Sequence, residues 1–454
     1  MRIGIVGGGI MGLTVGYMLA ERGHSADVFE GSPVLGGLAG PITLQDGTDV
    51  DRFYHAILSS DEHLLEVCEK LGISDQLRFK ETKTGVFIGG GIHQMSDAIQ
   101  FLTFPPLRPI DRLRLGLTIV AARRVKDWRT LEQVGLEDWL VKYGGRRLFD
   151  RFWNPMLTAK FDGTFKRTPA TYMWSRFVRM TSMRKGVRQK EMSGHLIGGY
   201  PTLLRAMTRA IERAGGSVRL NAAVSDVLVD SGRASGLRVN GQSLSFDGVV
   251  LTMQTPIAAR LVPSLPEAYR QSLTAWKYLG IVCPLLVMKR PLSDFWVTNV
   301  ADTAVPFTGV IETTAYIDPK YVGGHHLVYI PKYTAPDSPW QRASDDEIRR
   351  VWFEGLRRIV PAFDERDVAE CRIHRERFVE PLHSLDGQRI LPSIETPVDG
   401  LFLTTTAQIY PALTNGESVT QHARAAAEVV LDANIPALER ECDRPSLDVT
   451  TPVP

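Results

Sequence analysis

The stretch Gly7-Gly8-Gly9-Ile10-Met11-Gly12 near the start of the chain decides the fold. It fits the pattern G-x-G-x-x-G and lies between a short apolar strand pattern and a helical pattern that begins at Ile10. In this context Gly7 permits a tight turn, Gly9 lets a ligand approach the backbone, and Gly12 lets helix and strand pack closely. The free N–H groups at the start of the helix favour a phosphate group. The stretch therefore predicts a βαβ unit that binds a dinucleotide.

An acidic residue and a second glycine turn follow at the spacing that such a unit requires. Glu30 ends the next predicted strand, Ser25–Phe29, and lies 18 residues after Gly12. A carboxylate there accepts hydrogen bonds from ribose hydroxyls and repels a 2′-phosphate, which argues against NADP. The turn at residues 36–40 brings more backbone toward the ribose and pyrophosphate. In these segments the predicted cofactor-binding residues are Gly7, Gly9, Ile10, Met11, Gly12, Glu30, Gly31, Gly36, Gly37, Leu38 and Ala39.

Composition and charge exclude several classes of protein. The 454 residues are 44% hydrophobic and 23% charged, with a formal net charge of +2, so the chain is globular and has no overall attraction to nucleic acid. The four cysteines lie far apart without a CxxC pair, so we expect no metal site and a reducing, cytoplasmic location. Glycines break the apolar stretch from Ile3 to Ala20, which predicts strand, turn and helix rather than a signal peptide. No membrane-spanning stretch is predicted.

Later segments extend the opening pattern into a family resemblance. Gly198-Gly199-Tyr200-Pro201 precedes a helical pattern, Val224 opens a strand pattern, and residues 400–406 form a late apolar strand and turn. Together with the opening glycines, Glu30 and the pair Gly36-Gly37, these segments resemble the FAD-dependent amine oxidase superfamily. That group also contains protoporphyrinogen oxidases, phytoene desaturases and, more distantly, UDP-galactopyranose mutases. The resemblance covers most of the chain, with its specific motifs in the cofactor segments, and it implies FAD as the cofactor.

The resemblance also implies which further residues contact FAD. Backbone groups at Val224 would hold the adenine, and Tyr54, Thr406, Gln408 and Ile409 would lie beside the flavin. The helix that we predict from Ser418 would direct its amino terminus at the cofactor. Residues 404–408 contain no cysteine, so the family's covalent tether is missing and we expect non-covalent FAD.

The same resemblance predicts an α/β fold of two interleaved domains. A Rossmann-like FAD-binding domain would alternate along the chain with a substrate domain of antiparallel sheet plus helices. Helical spacing supports this order, since it predicts helices at residues 201–213, 345–359 and 418–431. The predicted segments are 1–88, 192–262 and 392–435 for the FAD domain, 89–191 and 263–391 for the substrate domain, and 436–454 for a flexible tail.

Departures from the family pattern identify the candidate catalytic residues. Leu38 occupies the position of an arginine that amine oxidases carry after the glycine pair, and Cys283 occupies that of a lysine linked to flavin N5, so a plain amine substrate is not favoured. His55 resembles a histidine that lies against the flavin in sugar-nucleotide mutases, although a packing role for it stays open. His55 and Cys283 are candidates to shuttle a proton near N5. Tyr410, after the late strand, would line the substrate face.

A basic stretch suggests how the substrate is held. Residues 151–190 contain ten basic side chains, interleaved with aromatic residues, and a single acid, Asp162. One interpretation is an anionic substrate, such as a sugar nucleotide or a polyprenyl phosphate, because arginine suits phosphate geometry. The alternatives are contact with an acidic membrane surface, or a solvated face balanced by acids elsewhere. For the first interpretation the substrate-binding candidates are Lys160, Trp174, Arg176 and Arg184.

A second basic segment, residues 111–128, mixes arginines with leucines in a helical pattern. It could lie on a membrane as an amphipathic helix, or it could pack inward as a helix of the substrate domain. The sequence does not specify the oligomeric state.

Three functions remain open at this point. The leading one is removal of a hydride from a small, anionic or sugar- or lipid-linked substrate to flavin N5, with dioxygen or a quinone as the electron acceptor. The second is a redox-neutral mutase or isomerase that acts on a sugar nucleotide. The third is a flavin-bearing binding protein without turnover.

Overall fold

The computed structural model describes residues 1–182, 192–385 and 391–433. Its strands, in chain order, are β1 (Arg2–Val6), β2 (Ser25–Phe29), β3 (Pro41–Thr43), β4 (Asp49–Asp51), β5 (Ile57–Leu58), β6 (Leu77–Glu81), β7 (Thr84–Ile88), β8 (Gly91–Gln94), β9 (Met192–Leu196), β10 (Ser217–Arg219), β11 (Val224–Asp230), β12 (Arg233–Val239), β13 (Gln242–Ser245), β14 (Gly248–Leu251), β15 (Tyr278–Met288), β16 (Val297–Val300), β17 (Gly309–Glu312), β18 (His326–Tyr329), β19 (Lys332–Thr334), β20 (Val368–Pro381) and β21 (Leu401–Leu403).

The helices lie between these strands. In chain order they are α1 (Ile10–Glu21), α2 (Glu62–Lys70), α3 (Ala98–Leu102), α4 (Pro109–Arg124), α5 (Leu136–Gly144), α6 (Arg146–Leu148), α7 (Asn154–Phe161), α8 (Thr171–Ser182), α9 (Tyr200–Arg213), α10 (Thr255–Leu261), α11 (Glu267–Thr274), α12 (Asp345–Ile359) and α13 (Gly416–Asp432). Among them there is no helix with the length and apolar character needed to span a bilayer. The mixed α/β architecture confirms the predicted fold class.

A five-stranded parallel sheet carries the opening glycine motif. Its order is β10-β2-β1-β14-β21, so β1 lies at the centre, with Ile5 opposite Val28 on one side and Val250 on the other. Helices α1, α9 and α13 cover one face, and the antiparallel sheet β11-β12-β13 covers the other. Both faces are therefore buried, which is why the short strands are almost wholly apolar.

A second, larger sheet is mostly antiparallel and is organised by β15. Its order is β19-β15-β18-β17-β16-β7-β8, and β20 pairs with β15 as well. Every residue of β15 is buried, and alternate side chains face opposite ways. Val282 and Leu286 pack with helix α12, whereas Cys283 and Leu285 pack in a cluster that contains Phe53.

Strand β7 joins this second sheet, pairing with β8 and, in parallel, with β16. The predicted FAD domain extends to residue 88, so the chain enters the second sheet a few residues before that boundary. Helices α3 to α8 form a separate aromatic-rich core beside the sheet. The predicted tail, 436–454, lies outside the described residues.

Candidate functional site

The predicted cofactor segments meet at the carboxyl ends of β1 and β2. The backbone N–H of Gly8 donates to Glu30 Oε2 at 2.8 Å, and the N–H of Gly36 donates to Gly8 O at 2.8 Å. The N–H of Ala222 donates to Glu30 O at 2.8 Å, which sets Val224 and its strand beside the acid. Ligands of open parallel sheets bind at this edge. The structure thus brings the three opening segments together with a strand about 190 residues further along the chain.

The glycine loop is tight where the chain must pack and open where a ligand would lie. A Cβ atom on Gly12 would come 2.0 Å from Gly7 O, and Gly7 has φ +111°, so neither position accepts a side chain. A Cβ atom on Gly9 would meet nothing nearer than Gly36 O at 3.9 Å, and one on Gly37 nothing nearer than Gly9 Cα at 3.8 Å. Helix α1 has no side-chain cap. This opening, with uncapped N–H groups at its floor, fits a pyrophosphate.

The late strand β21 closes against the same loop. The Thr404 hydroxyl lies 3.3 Å from Met11 Sδ, and Ile409 packs in the same buried cluster as Ile10 and Ala39. The following turn, Thr406–Gln408, is a single turn of 3₁₀ helix. Within the ranges that the structure describes, the N–H groups of Thr406 and Ala407 donate to no protein acceptor, so they are available to acceptor atoms of a flavin ring.

Gln408 holds this turn together from within. Its Nε2 donates to Leu403 O at 3.0 Å and to Pro392 O at 3.1 Å, and its Oε1 accepts from Thr405 N at 2.7 Å. His422 Nε2 lies 3.0 Å from the same oxygen. The side-chain amide of Gln408 is therefore engaged by the protein, and its backbone N–H donates to Thr405 O at 3.0 Å, so the cofactor contact of Gln408 stays a prediction.

Helix α13 also differs from the expectation. It begins at Gly416, two residues before the predicted start, and Asn415 Oδ1 accepts from Ser418 N at 3.1 Å. Glu417 accepts the N–H groups of His63 and Leu64 at the start of α2. This helix end therefore carries its own cap and braces a second helix, rather than presenting uncapped donors as α1 does.

A buried charged cluster lies between strands β19 and β20 of the second sheet and helices α7 and α8. The ammonium group of Lys160 is paired with Glu380 and lies 3.2 Å from the centre of the Tyr333 ring, whose hydroxyl is 3.1 Å from the hydroxyl of Tyr54. Arg176 lies 4.0 Å from the other oxygen of Glu380. Burial raises the pKa of Glu380, but Lys160 and Arg176 outweigh it and keep the carboxylate ionised.

Several basic side chains of residues 151–190 form ion pairs with acids that are far away in the sequence. Lys160 and Arg176 share Glu380, and Arg179 pairs with Asp61 at 2.9 Å. Two cations against one carboxylate leave a single positive charge in the cluster. Glu380 and Tyr333 were not predicted, since nothing in their local sequence links them to residues 151–190.

Two of the predicted substrate contacts are not part of this cluster. Trp174 packs on α4, where its Nε1–H donates to Ala122 O at 3.1 Å, so the structure does not bring it to the charged cluster. Arg184 lies outside the described residues.

A pocket of about 430 Å³ opens beside the cluster and the 3₁₀ turn. Tyr172, Glu380, His383 and Tyr410 contribute its polar groups, and the walls are otherwise aromatic, aliphatic or threonine. The Tyr410 hydroxyl lies 2.7 Å from that of Thr171, and His383 Nε2 lies 3.0 Å from the carbonyl oxygen of Ala407. Burial lowers the pKa of His383 and raises that of Tyr410 to about 12, so both are neutral near pH 7. Tyr410 thus lines a pocket next to the turn, and its place at the substrate face of the flavin stays a prediction.

His55 borders a second cavity, of about 570 Å³. Its Nδ1 lies 2.9 Å from Phe53 O, and burial lowers its pKa to about 4. The same cavity contains Asp51, whose pKa burial raises to about 7, and several tyrosines. His195 also lines it, and among the described residues neither ring nitrogen of His195 has a hydrogen-bond partner.

Cys283 is fully buried within β15. Burial raises the pKa of its thiol, so the thiol stays protonated near neutral pH and does not act as a base. This corrects the predicted proton shuttle at Cys283. The described residues contain no group of three or more His, Cys, Asp or Glu side chains placed to hold a metal ion.

Comparison with known proteins identifies relatives. The family described as "Flavin containing amine oxidoreductase" matches residues 10–431. Zeta-carotene desaturase of Arabidopsis thaliana is 23% identical over 60% of this chain and 53% of its own length. The 15-cis-phytoene desaturase of Synechococcus elongatus is 22% identical over 98% of this chain and 99% of its own. A crystal structure of reduced UDP-galactopyranose mutase superposes with a TM-score of 0.75 at 15% identity, covering 95% of each chain.

These matches confirm the predicted superfamily resemblance and FAD as the cofactor. The chain spans about half the length of the Arabidopsis relative. At 15% identity, the likeness to the mutase shows the fold alone.

Proposed function

Because the chain belongs to the flavin-containing amine oxidoreductase family, we propose that it removes a hydride from a lipid- or sugar-linked substrate with an anionic end. The observation that carries this proposal is the pocket formed by Tyr172, Glu380, His383 and Tyr410. It adjoins the 3₁₀ turn that would lie over the flavin, and its lining divides about evenly between apolar and polar residues. Of the charged cluster only Glu380 lines the pocket, but its partners Lys160 and Arg176 leave the neighbouring cluster with one positive charge, which favours an anionic group nearby. The apolar lining residues, such as Phe161 and Leu413, suit an apolar chain.

The residues that would hold FAD follow from the fit described above. The N–H groups at the start of α1 would receive the pyrophosphate, Glu30 the ribose, and the N–H groups of Thr406 and Ala407 the flavin ring. When bound, FAD supplies the hydride acceptor, its N5 atom. The protein's part is to hold the substrate carbon at ~3–3.5 Å from that acceptor and to exclude water.

His55 is the sequence candidate for transfer of the accompanying proton; it lines the second cavity rather than the pocket of Tyr410, so this role stays a prediction. If Nδ1–H donates to the carbonyl oxygen of Phe53, Nε2 is left as the proton acceptor. The lowered pKa, about 4, keeps this imidazole neutral near pH 7. Tyr410, with its pKa near 12, acts as a hydrogen-bond donor rather than a base.

The test is an anaerobic titration of the flavin spectrum with amines, porphyrinogens, polyenes, polyprenyl phosphates and sugar nucleotides. The proposal predicts bleaching by one lipid- or sugar-linked class alone. Replacing Tyr410 with Phe removes one hydrogen bond to Thr171 and should slow bleaching ~10-fold. Tyr269→Phe is the matched control, because its hydroxyl is buried without a partner among the described residues. Equal bleaching by both variants, or by simple amines only, would contradict the proposal.

A second candidate is a redox-neutral mutase acting on a sugar nucleotide. It is favoured by the cavity at His55, where Tyr200, Tyr321 and Tyr329 offer ring faces and His195 and Asp51 offer hydrogen bonds to hydroxyl groups. Dithionite-reduced enzyme incubated with sugar nucleotides tests it. Conversion without net oxidation, combined with no bleaching by any substrate, would replace the first proposal. Neither candidate depends on the predicted cytoplasmic location, which stays a prediction.

A further inference from the structure

Helix α4 turns a row of large apolar side chains to the solvent. Ten large apolar residues are exposed in the part of the chain that the structure describes, and six of them lie in α3 and α4. These six are between 44% and 58% exposed, and they are Ile99, Leu102, Ile110, Leu113, Leu117 and Val120. Steps of three and four residues place the last four on one side of the helix.

The other side of α4 is well packed. Leu115, Thr118 and Ala122 are fully buried, and α4 contacts helices α5 and α8. Asp111 is also buried and faces Arg147 at 3.5 Å. The exposed row is therefore not the result of a loosely packed helix. The alternative of a helix that packs inward accounts for the buried side of α4 but not for its exposed side.

The charge around this row is predominantly basic. Asp111 is the only acid between residues 98 and 126, and it is buried, while the exposed Asp127 that follows pairs with Arg129 at 3.5 Å. The exposed charged side chains of that segment are all basic, and they are Arg108, Arg114, Arg123, Arg124 and Lys126. We call these five residues and the six apolar ones the apolar–basic face.

We propose that the apolar–basic face docks the protein peripherally onto a lipid bilayer that contains anionic headgroups. The apolar row would enter the boundary between headgroups and acyl chains, as the buried side of an interfacial helix does. The arginines and the lysine would meet lipid phosphates. A second copy of this chain is the weaker occupant, because a symmetric contact would set basic residues against basic residues with no exposed acid between them.

The position of the face connects docking to the pocket. Helix α8 contacts α4 through Trp174 and contributes Thr171 and Tyr172 to the pocket. Trp128 lies four residues after the end of α4, and the centre of its ring is 5.4 Å from the centre of the Tyr410 ring. If the proposed function holds, and this consequence rests on it, an apolar substrate would pass from the bilayer to the pocket along this side. Docking itself does not require turnover.

The experiment is flotation of the purified full chain with vesicles of phosphatidylcholine, with and without 30% phosphatidylglycerol. Wild type should float with the anionic vesicles and much less with the neutral ones. The variant Leu113→Ser/Leu117→Ser should weaken partitioning at least ~100-fold, from the transfer of two leucines. Arg123→Glu/Arg124→Glu should weaken it at least ~30-fold, on anionic vesicles only.

Matched controls test whether the effect is local. Val34→Ser/Leu220→Ser removes two apolar side chains that are similarly exposed elsewhere, and Arg209→Glu/Arg213→Glu reverses two exposed charges on α9. Both should float as wild type does. Unchanged unfolding midpoints and flavin absorbance confirm that the variants are folded, and because no substrate is present, docking and the proposed reaction are tested separately.

Three results would overturn the proposal. The first is a wild type that stays unbound at both vesicle compositions. The second is flotation of the leucine variant at the wild-type level. The third is a wild-type dimer on gel filtration that the leucine variant dissociates without any vesicle binding, which would make the face a self-association surface.

Discussion

Two alanine substitutions in one loop should separate folding from cofactor binding. At Gly12 the added Cβ atom would lie 2.0 Å from the carbonyl oxygen of Gly7, which is backbone and cannot turn aside. Overpacking of this kind costs roughly 1–3 kcal/mol. The better helix propensity of alanine returns only about 1 kcal/mol. We expect Gly12→Ala to destabilise the flavin-free protein by up to about 2 kcal/mol.

At Gly9 we expect the opposite effect, in which folding stability is kept and FAD binding is weakened. Its backbone has φ −76° and ψ 177°, which alanine adopts without strain, and the new methyl group would meet only Gly36 O at 3.9 Å. The flavin-free protein should keep its stability or gain up to about 1 kcal/mol, because the unfolded chain loses entropy. The methyl group would occupy the space for the pyrophosphate, so FAD affinity should fall at least ~100-fold, about 2.7 kcal/mol.

The assay is urea unfolding of the flavin-free proteins, followed by titration with FAD detected through flavin fluorescence. We expect Gly12→Ala to lower the stability of the fold and Gly9→Ala to lower the affinity for FAD. If Gly9→Ala bound FAD as tightly as wild type, the opening at Gly9 would not be the pyrophosphate site. If it lost as much stability as Gly12→Ala, the spatial argument would be wrong.

Three further predictions concern single residues. Glu30→Gln should weaken FAD binding ~10-fold in the same titration, because a charge-assisted hydrogen bond to the ribose is lost. Gln408→Ala should lower the free energy of unfolding by about 3 kcal/mol, since it leaves buried partners of the amide unpaired. His55→Gln should make unfolding less sensitive to acid. The pKa of His55 is about 4 in the folded chain against 6.5 unfolded, so its contribution is complete above pH 6.5 and is lost as the pH falls toward 4. Between pH 7 and 4 the wild type should lose about 3 kcal/mol relative to the variant in urea titrations, and a constant difference would contradict the burial of a neutral imidazole.

Local signals predicted the cofactor half of the molecule well. Strand β2 has the predicted bounds, and α12 begins and ends at the predicted residues, because strand and helical patterns act over a few residues. The glycines at 7 and 12 have the geometry that the motif implies, since their roles depend on neighbours within one turn.

The substrate half depended on contacts that no local pattern encodes. Lys160 and Glu380 are 220 residues apart, so the basic stretch gave no sign of its neutralising partner. Gln408 suggested a cofactor contact, but its amide stabilises the turn from within. Helix α4 mixes arginines and leucines around its circumference, and only the tertiary packing decides which leucines are buried.

The strand order of the parallel sheet has a consequence for how the protein is made on the ribosome. Strand β14 pairs with β1 on one edge and with β21 on the other, so the sheet is complete only when residue 403 has been synthesised. Synthesis from residue 29 to residue 401 takes about 20–75 s at typical rates. During that interval the nascent glycine loop lacks the late turn that we expect to lie beside the cofactor. We therefore expect FAD to be captured after translation is nearly complete, and a chain that terminates before β21 to retain it poorly.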